Sequence, residues 1–267
     1  MPKLRVNGVD LNFIIEGPEE AEVLTFVHGQ GFDLKSWTRQ TVEFKKKYRV
    51  LCIDLRGHGG TEIGSLKTDL RINDLARDIV ELWDTLNLER SHYIGKSLGG
   101  MIGFELALNF ASRLHSLVLV ATQGKMPTGS LERMRGYAEK FKKPEFGMGL
   151  AAEQLLERYL PKNYNTSDPE GYTLLKEGIS SLPVEAYEYS SEAINAMDFD
   201  SKLGEIKVPT MVIAGELDIP TPPSRMVVYR EEINGAKWGV VKGAGHLPNF
   251  EKPIIFNKLL REFLEGI

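Results

Sequence analysis

The 267-residue sequence predicts an α/β fold, a parallel sheet sandwiched between helices. Three observations carry this reading. Short, continuous apolar runs, Val23 to Val27, Val50 to Ile53, Leu117 to Ala121 and Val208 to Ala214, have the form of strands buried on both faces. Segments of helical periodicity lie between them, and strand and helix patterns alternate again from Lys207 onward.

The elements follow in order. Leu4, Val6, Val9, Leu11, Phe13 and Ile15 alternate with polar residues around Asn7-Gly8, which predicts an antiparallel hairpin with a tight turn. Ile72, Leu75, Ala76, Ile79, Leu82, Trp83 and Leu86 recur at helical spacing with charges opposite, giving one amphipathic helix. His92-Tyr93-Ile94 is a short apolar strand, and the segment from Met101 to Leu108 is apolar nearly all round, as a helix buried on every side would be. Past Lys207, Ser224 to Ile233 is helical in pattern, Lys237 to Val241 a strand, and Ile254 to Leu264 a closing helix. The stretch 125–198 breaks the rhythm. It is helical in pattern, rich in Met, Phe, Tyr and charges, and punctuated by Pro127, Pro144, Pro161, Pro169 and Pro183, so it is expected to be a helical insert between two strands of a core formed by 1–124 and 199–267.

Composition narrows the function classes. A formal net charge of -4 offers no electrostatic reason to expect nucleic acid or an anionic membrane as partner. No apolar run approaches bilayer length, and the segment Met1 to Val6 has neither a signal core nor a small-residue cleavage site, so a soluble, cytoplasmic protein is expected. Cys52, the single cysteine, excludes an internal disulfide and lies in an apolar strand, where a buried hydrophobe is a better reading than a second nucleophile.

The chemistry is concentrated at Gly95-Lys96-Ser97-Leu98-Gly99, a serine between two glycines, straight after one predicted strand and straight before a helix. A serine hydroxyl attacks well only if it stands clear of the backbone within reach of a base, and a sharp strand-to-helix turn presents it that way. Glycines two positions to either side let strand and helix close together. His246 is the candidate base, because the glycine-rich loop Lys242-Gly243-Ala244-Gly245-His246 can carry an imidazole back over the strand ends. His28 and His58 are expected to pack loops, and His92 and His115 to lie at strand edges or the surface. Asp218, after the strand ending at Ala214, is the candidate acid that holds the imidazole tautomer. Glu216 is nearer the strand, and Asp54 is expected to form a salt bridge to Arg56 within its own loop. The oxyanion of a tetrahedral intermediate needs fixed donors, for which the backbone N–H groups of Leu98 and Gln30 are the candidates. The Gln30 side chain is expected either to touch substrate or to point into solvent.

Through His28-Gly29-Gln30-Gly31, Asp54-Leu55-Arg56-Gly57-His58-Gly59, Gly95-Lys96-Ser97-Leu98-Gly99-Gly100-Met101, Gly215-Glu216-Leu217-Asp218 and Gly245-His246, the chain resembles the α/β-hydrolase superfamily over its whole length. Within it, the chain looks most like the 3-oxoadipate enol-lactonase group and nearby small esterases. The resemblance implies an eight-stranded, mostly parallel sheet, a helical cap over Ser97 formed by 125–198, no metal or cofactor, and water as second substrate. Lys96 departs from the His or uncharged residue more usual beside the nucleophile, and is expected to be solvated or salt-bridged.

The expected activity is hydrolysis of a small carboxylic ester or lactone through an acyl-enzyme on Ser97, with His246 as base and Asp218 orienting it. Met126, Met134, Phe141, Phe146 and Met148 are candidates to line the pocket or, equally, to join the cap helices; Arg133, Arg135 and Lys96 are candidate cations for a substrate carboxylate. Carbon–carbon bond hydrolysis and cofactor-free perhydrolysis would keep the same three residues. A ligand-sensing receptor on the same scaffold is the alternative of another class. Epoxide and haloalkane hydrolysis call for an aspartate where Ser97 stands.

Overall fold

In the computed structural model, residues 2–64 and 70–267 are described; Met1, the first residue of the segment read for an export signal, lies outside them. Eight strands form one sheet in the order β1-β2-β4-β3-β5-β6-β7-β8. These are β1 (Lys3–Val6), β2 (Val9–Glu16), β3 (Val23–Val27), β4 (Arg49–Ile53), β5 (Ser91–Lys96), β6 (Leu114–Val120), β7 (Thr210–Gly215) and β8 (Lys237–Val241). The β1–β2 hairpin is antiparallel, β2 pairs antiparallel with β4, and the remaining pairings are parallel. Asn7 and Gly8, at φ 42 and 82, both take the left-handed conformation that a two-residue hairpin turn requires.

The helices are α1 (Thr38–Phe44), α2 (Ile72–Thr85), α3 (Leu98–Asn109), α4 (Ser130–Phe141), α5 (Gly147–Tyr159), α6 (Tyr164–Ser167), α7 (Pro169–Ser180), α8 (Val184–Asn195), α9 (Pro223–Glu232), α10 (Pro248–Glu251) and α11 (Pro253–Leu264). They cover both faces of the sheet. On one side Val27, Leu51 and Ile53 pack with α2, α3 and α9 through residues such as Ile79, Trp83, Phe104 and Tyr229. On the other, Leu24, Phe26, Val50 and Cys52 pack with Trp37, just before α1, and with α1 and α11 through Phe44, Phe256 and Leu260. Alternate residues of one strand serve opposite cores, the physical reason these strands read as unbroken apolar runs.

The stretch 125–198 leaves the sheet after β6 and holds α4 to α8. Its ends are joined by a bridge between Lys125 and Asp198, whose side chains also pair at 2.6 Å. It has its own core, in which Phe141, Leu156, Leu175 and Ile179 are buried together with Phe32 and Leu247 of the sheet domain's loops and Phe250 of α10.

The strand order positions the site. From β3 the chain passes to β4 on one side, while β5 pairs with β3 on the other. Loops leaving the carboxyl ends of β3 and β5 therefore diverge, and the crevice between them is where an α/β sheet places ligands. Gly29-Gln30 and Ser97 stand at those two ends.

Candidate active site

Ser97 is the single residue between β5 and α3, at φ 51 and ψ -112. A non-glycine residue in that region stores strain, and here backbone hydrogen bonds hold it. Ser97 N–H donates to Val120 O at 2.9 Å, Gly99 N–H to His28 O at 3.1 Å, and the Thr122 hydroxyl to Ser97 O at 2.7 Å. The flanking glycines are sterically required. A Cβ on Gly95 would lie 2.2 Å from Gly99 O, and one on Gly99 would lie 2.3 Å from Val27 O.

The other two candidates are brought to the same place. His246 Nδ1 lies 2.9 Å from Asp218 Oδ2, and both side chains are buried. Asp218 also accepts from Thr221 N–H at 2.9 Å and the Thr221 hydroxyl at 2.8 Å. Burial opposes its ionisation, but His246 and the Thr221 donors outweigh burial and hold its carboxyl below the ordinary range. An ionised Asp218 accepts from Nδ1–H and leaves Nε2 as the free, basic nitrogen. For His246, burial, Lys96 and Arg158 disfavour the cation more than Asp218 favours it, so its pKa falls below the usual histidine value.

Ser97 and His246 line one cavity of about 100 Å³ under the helical insert. Ser97 Oγ makes no hydrogen bond to any described residue. Leu98 N–H, at the first position of α3, and Gln30 N–H likewise have no backbone partner among the described residues, as donors kept for a ligand require. The Gln30 side chain follows neither expected course alone. It borders the cavity, and its Nε2 lies 2.8 to 3.0 Å from Tyr187 O, Ser190 Oγ and Ser191 Oγ of α8, tying the β3 loop to the insert.

Three supporting residues escaped the sequence reading. Tyr159 O accepts from His246 N–H at 2.7 Å, and its ring lies 5.0 Å from the imidazole. Thr221 steadies Asp218. Glu251 accepts from Gly245 N–H at 2.6 Å and Leu247 N–H at 2.8 Å, clamping the His246 loop from both sides. A proline at a helix start followed three residues on by an acid, Pro248 and Glu251, was the signal available for the last.

Several expectations are corrected. Asp54 does not pair with Arg56. Its carboxylate collects donors from Leu34 N, Gly60 N and Asn12 Nδ2 at 2.7 to 2.8 Å, while Arg56 reaches Asp78 on α2. The carboxylate faces inward, where loop N–H groups need an acceptor, and the guanidinium faces α2. His92 is buried, bonded through Nδ1 to Ser116 Oγ at 2.9 Å, because β5 is interior to the sheet. The five residues left open between pocket and cap packing divide, which corrects neither reading: Met126 and Met134 border the cavity, while Phe141, Phe146 and Met148 pack in the insert's own core. Arg133 borders the cavity together with Arg158 and Arg225, which the sequence reading missed. Arg135 points away to Glu192 at 2.7 Å, and Lys96 is neither solvated nor salt-bridged.

The loop-packing readings of His28 and His58 and the buried reading of Cys52 agree with the structure. His28 is structural, accepting from Leu55 N–H at Nε2 (3.0 Å) with Nδ1 2.8 Å from Gly29 O. Its neighbour His58 packs against it at 5.1 Å. Cys52 is buried in β4, and burial pushes its thiol up to about 12. Among the described residues no His, Cys, Asp and Glu group of three or more is placed to hold a metal ion, and no helix is long and apolar enough to cross a membrane.

Comparison with known proteins agrees with this architecture. The chain is 29% identical over 256 residues to 3-oxoadipate enol-lactonase 2 of Acinetobacter baylyi, covering 95% of this chain and 92% of that protein. Its fold matches the crystal structure of the enol-lactonase from Burkholderia xenovorans LB400 at 31% identity and a TM-score of 0.92, over 99% of this chain and 100% of that one. A thermophilic esterase from Thermogutta terrifontis matches at 26% identity and a TM-score of 0.90, covering 99% and 97%. A sequence model of the α/β hydrolase fold matches residues 22–253, from the start of β3 to the start of α11, and the chain therefore belongs to the α/β-hydrolase family.

Proposed function

We propose that this enzyme, a carboxylic ester hydrolase, cleaves a small ester or lactone through an acyl-enzyme on Ser97, and that its substrate carries a carboxylate. The observation that carries the mechanism is the strained Ser97, bordering the same cavity as a His246 whose other face is bonded to Asp218. In this reading Ser97 Oγ attacks the carbonyl while His246 Nε2 takes its proton, and Asp218 remains ionised beside the imidazolium. The developing oxyanion is held by the N–H groups of Leu98 and Gln30, with the amino-terminal end of α3 adding its dipole. His246 returns the proton to the leaving alkoxide, then draws one from water, which attacks the acyl carbon and releases the acid.

The carboxylate is argued from the cavity wall. Arg133, Arg158 and Arg225 all border the cavity, and none of them forms an ion pair with a described carboxylate. Their bonds go to neutral groups instead: Arg133 to Ser130 Oγ at 2.9 Å, Arg225 to Pro220 O at 3.0 Å and Gln123 Oε1 at 3.3 Å. Guanidinium groups beside a cavity without counter-ions suit an anionic ligand.

A fluorophosphonate probe followed by peptide mapping is expected to label Ser97 alone, and an ester and lactone panel is expected to favour substrates with a free carboxylate. Labelling at another residue, or none, overturns the mechanism. Equal turnover of neutral and carboxylated esters overturns the substrate assignment.

A further inference from the structure

Lys96 is the residue the mechanism leaves unused, although it adjoins the nucleophile. It is 1% exposed, and its Nζ finds no hydrogen-bond partner among the described residues. The ammonium lies 4.1 Å from the Phe32 ring centroid. It also sits beneath Gly29: a Cβ built on that glycine would come within 2.8 Å of Lys96 Cε, 3.0 Å of Nζ and 3.0 Å of Ser97 Cβ. One buried cation thus occupies the space between the β3 loop and the serine.

A buried ammonium without a hydrogen-bond partner is costly, and its field reaches groups several ångströms away in a poorly screened interior. Two buried carboxylates face it: Asp218 from the loop after β7 and Glu251 from α10. Glu251 accepts two backbone N–H bonds, but burial outweighs them and raises its carboxyl to about 7, so it is largely neutral in the acid range and Asp218 is the lasting negative charge. The imidazoles facing Lys96 are His28, with His58 behind it, and His246. His246 is also faced by Asp218, by Arg158 and by the Tyr159 ring of α5.

We propose that Lys96 is a positioning residue that sets the proton affinity of His246, its cation offsetting the buried Asp218 so that the imidazole stays neutral at lower pH. Burial pulls the Lys96 ammonium down to about 7 against the pull of Asp218 and Glu251, so it is charged throughout the acid range in which His246 titrates. Removing the cation leaves Asp218 uncompensated, and the imidazolium becomes easier to form.

The role in turnover rests on the hydrolase reading, whereas the effect on His246 does not, and the test separates them. The His246 ring is titrated by NMR in histidine-labelled wild type, Lys96→Met and Lys96→Gln, with folding checked by circular dichroism; the acid limb of kcat/KM is measured on p-nitrophenyl acetate in parallel. The midpoint of His246 is expected to rise by about one pH unit in both neutral variants, with the acid limb moving by the same amount. An unchanged midpoint in the variant that folds overturns the inference, as does a uniform fall in kcat with the limb in place, the signature of a purely structural role. A raised midpoint in a protein whose activity survives loss of Ser97 supports the role of Lys96 and overturns the hydrolase mechanism instead.

Discussion

The two walls of the cavity are built by different means. The sheet wall, carrying Ser97 and His246, is held by main-chain hydrogen bonds within the sheet domain: Ser97 N–H to Val120 O, Gly99 N–H to His28 O, and Leu217 N–H to Ala244 O between the loops of Asp218 and His246. The insert wall, carrying Met134, Arg133 and Arg158, is attached to the sheet domain largely through side chains. Gln30 reaches α8 and Arg39 bonds Asp168 at 2.5 Å while stacking over Phe250 at 4.2 Å; one main-chain bond, His246 N–H to Tyr159 O, adds to these ties. Main-chain bonds persist through most substitutions, whereas side-chain ties are lost with one. In the proposed mechanism the reaction chemistry sits on the wall that sequence change disturbs least, and much of the ligand selection on the wall that it alters most easily.

The largest effect expected is at the sheet wall. Ser97→Ala should lower kcat/KM by roughly 10⁴ to 10⁶-fold with unfolding unchanged. Retention of more than a few per cent of activity in a clean preparation would remove the distinction between the walls.

Acid should also act on the sheet domain, because all five histidines lie outside 125–198. Burial lowers His28 to about 4, and burial together with His28 lowers His58 to about 3. The unfolded chain takes up these protons first, near pH 6.5. The stability is therefore present above that pH and is lost as pH falls toward the folded values, by on the order of 3 kcal/mol for each histidine at pH 4. Urea unfolding from pH 7 to 4 checks this, and a flat profile would contradict it.

Arg158→Ala in the insert wall and Arg225→Ala on α9 of the sheet domain should each raise KM for a half-ester of a dicarboxylic acid by about 10 to 100-fold, the worth of one charge-assisted bond. KM for p-nitrophenyl acetate should not move. A parallel loss on both substrates would mean that the arginines shape the fold rather than select the ligand.

The smallest effect should come from the tie itself. Gln30→Ala preserves the backbone N–H and removes the bonds to α8, so about 1 kcal/mol of stability is expected to be lost. Steady-state kinetics and thermal unfolding would show whether kcat holds while KM rises as the insert loosens. A fall in kcat alone would place the side chain in the chemistry.

The sheet, its hairpin and the serine turn were legible in the chain because each depends on local rules: period-two or unbroken apolar runs, Asn7-Gly8 in a left-handed turn, and glycines where Gly95 and Gly99 meet backbone oxygen. The same locality misled at Asp54 and Arg56. Two residues apart they looked like a pair, yet the fold offers each a better partner from another element.

By itself the sequence determined the strand succession, the candidate nucleophile, acid and base, and their chain order, since these are read from residue types within a few positions of one another. Only the tertiary structure decided that Arg158 and Arg225 border the cavity while Arg135 leaves it, that Glu251 clamps the histidine loop, and that Lys96 is sealed beneath Gly29. The physical reason is range. Backbone preference and periodicity act along the chain, whereas burial and unscreened charge depend on which distant segments the fold presses together.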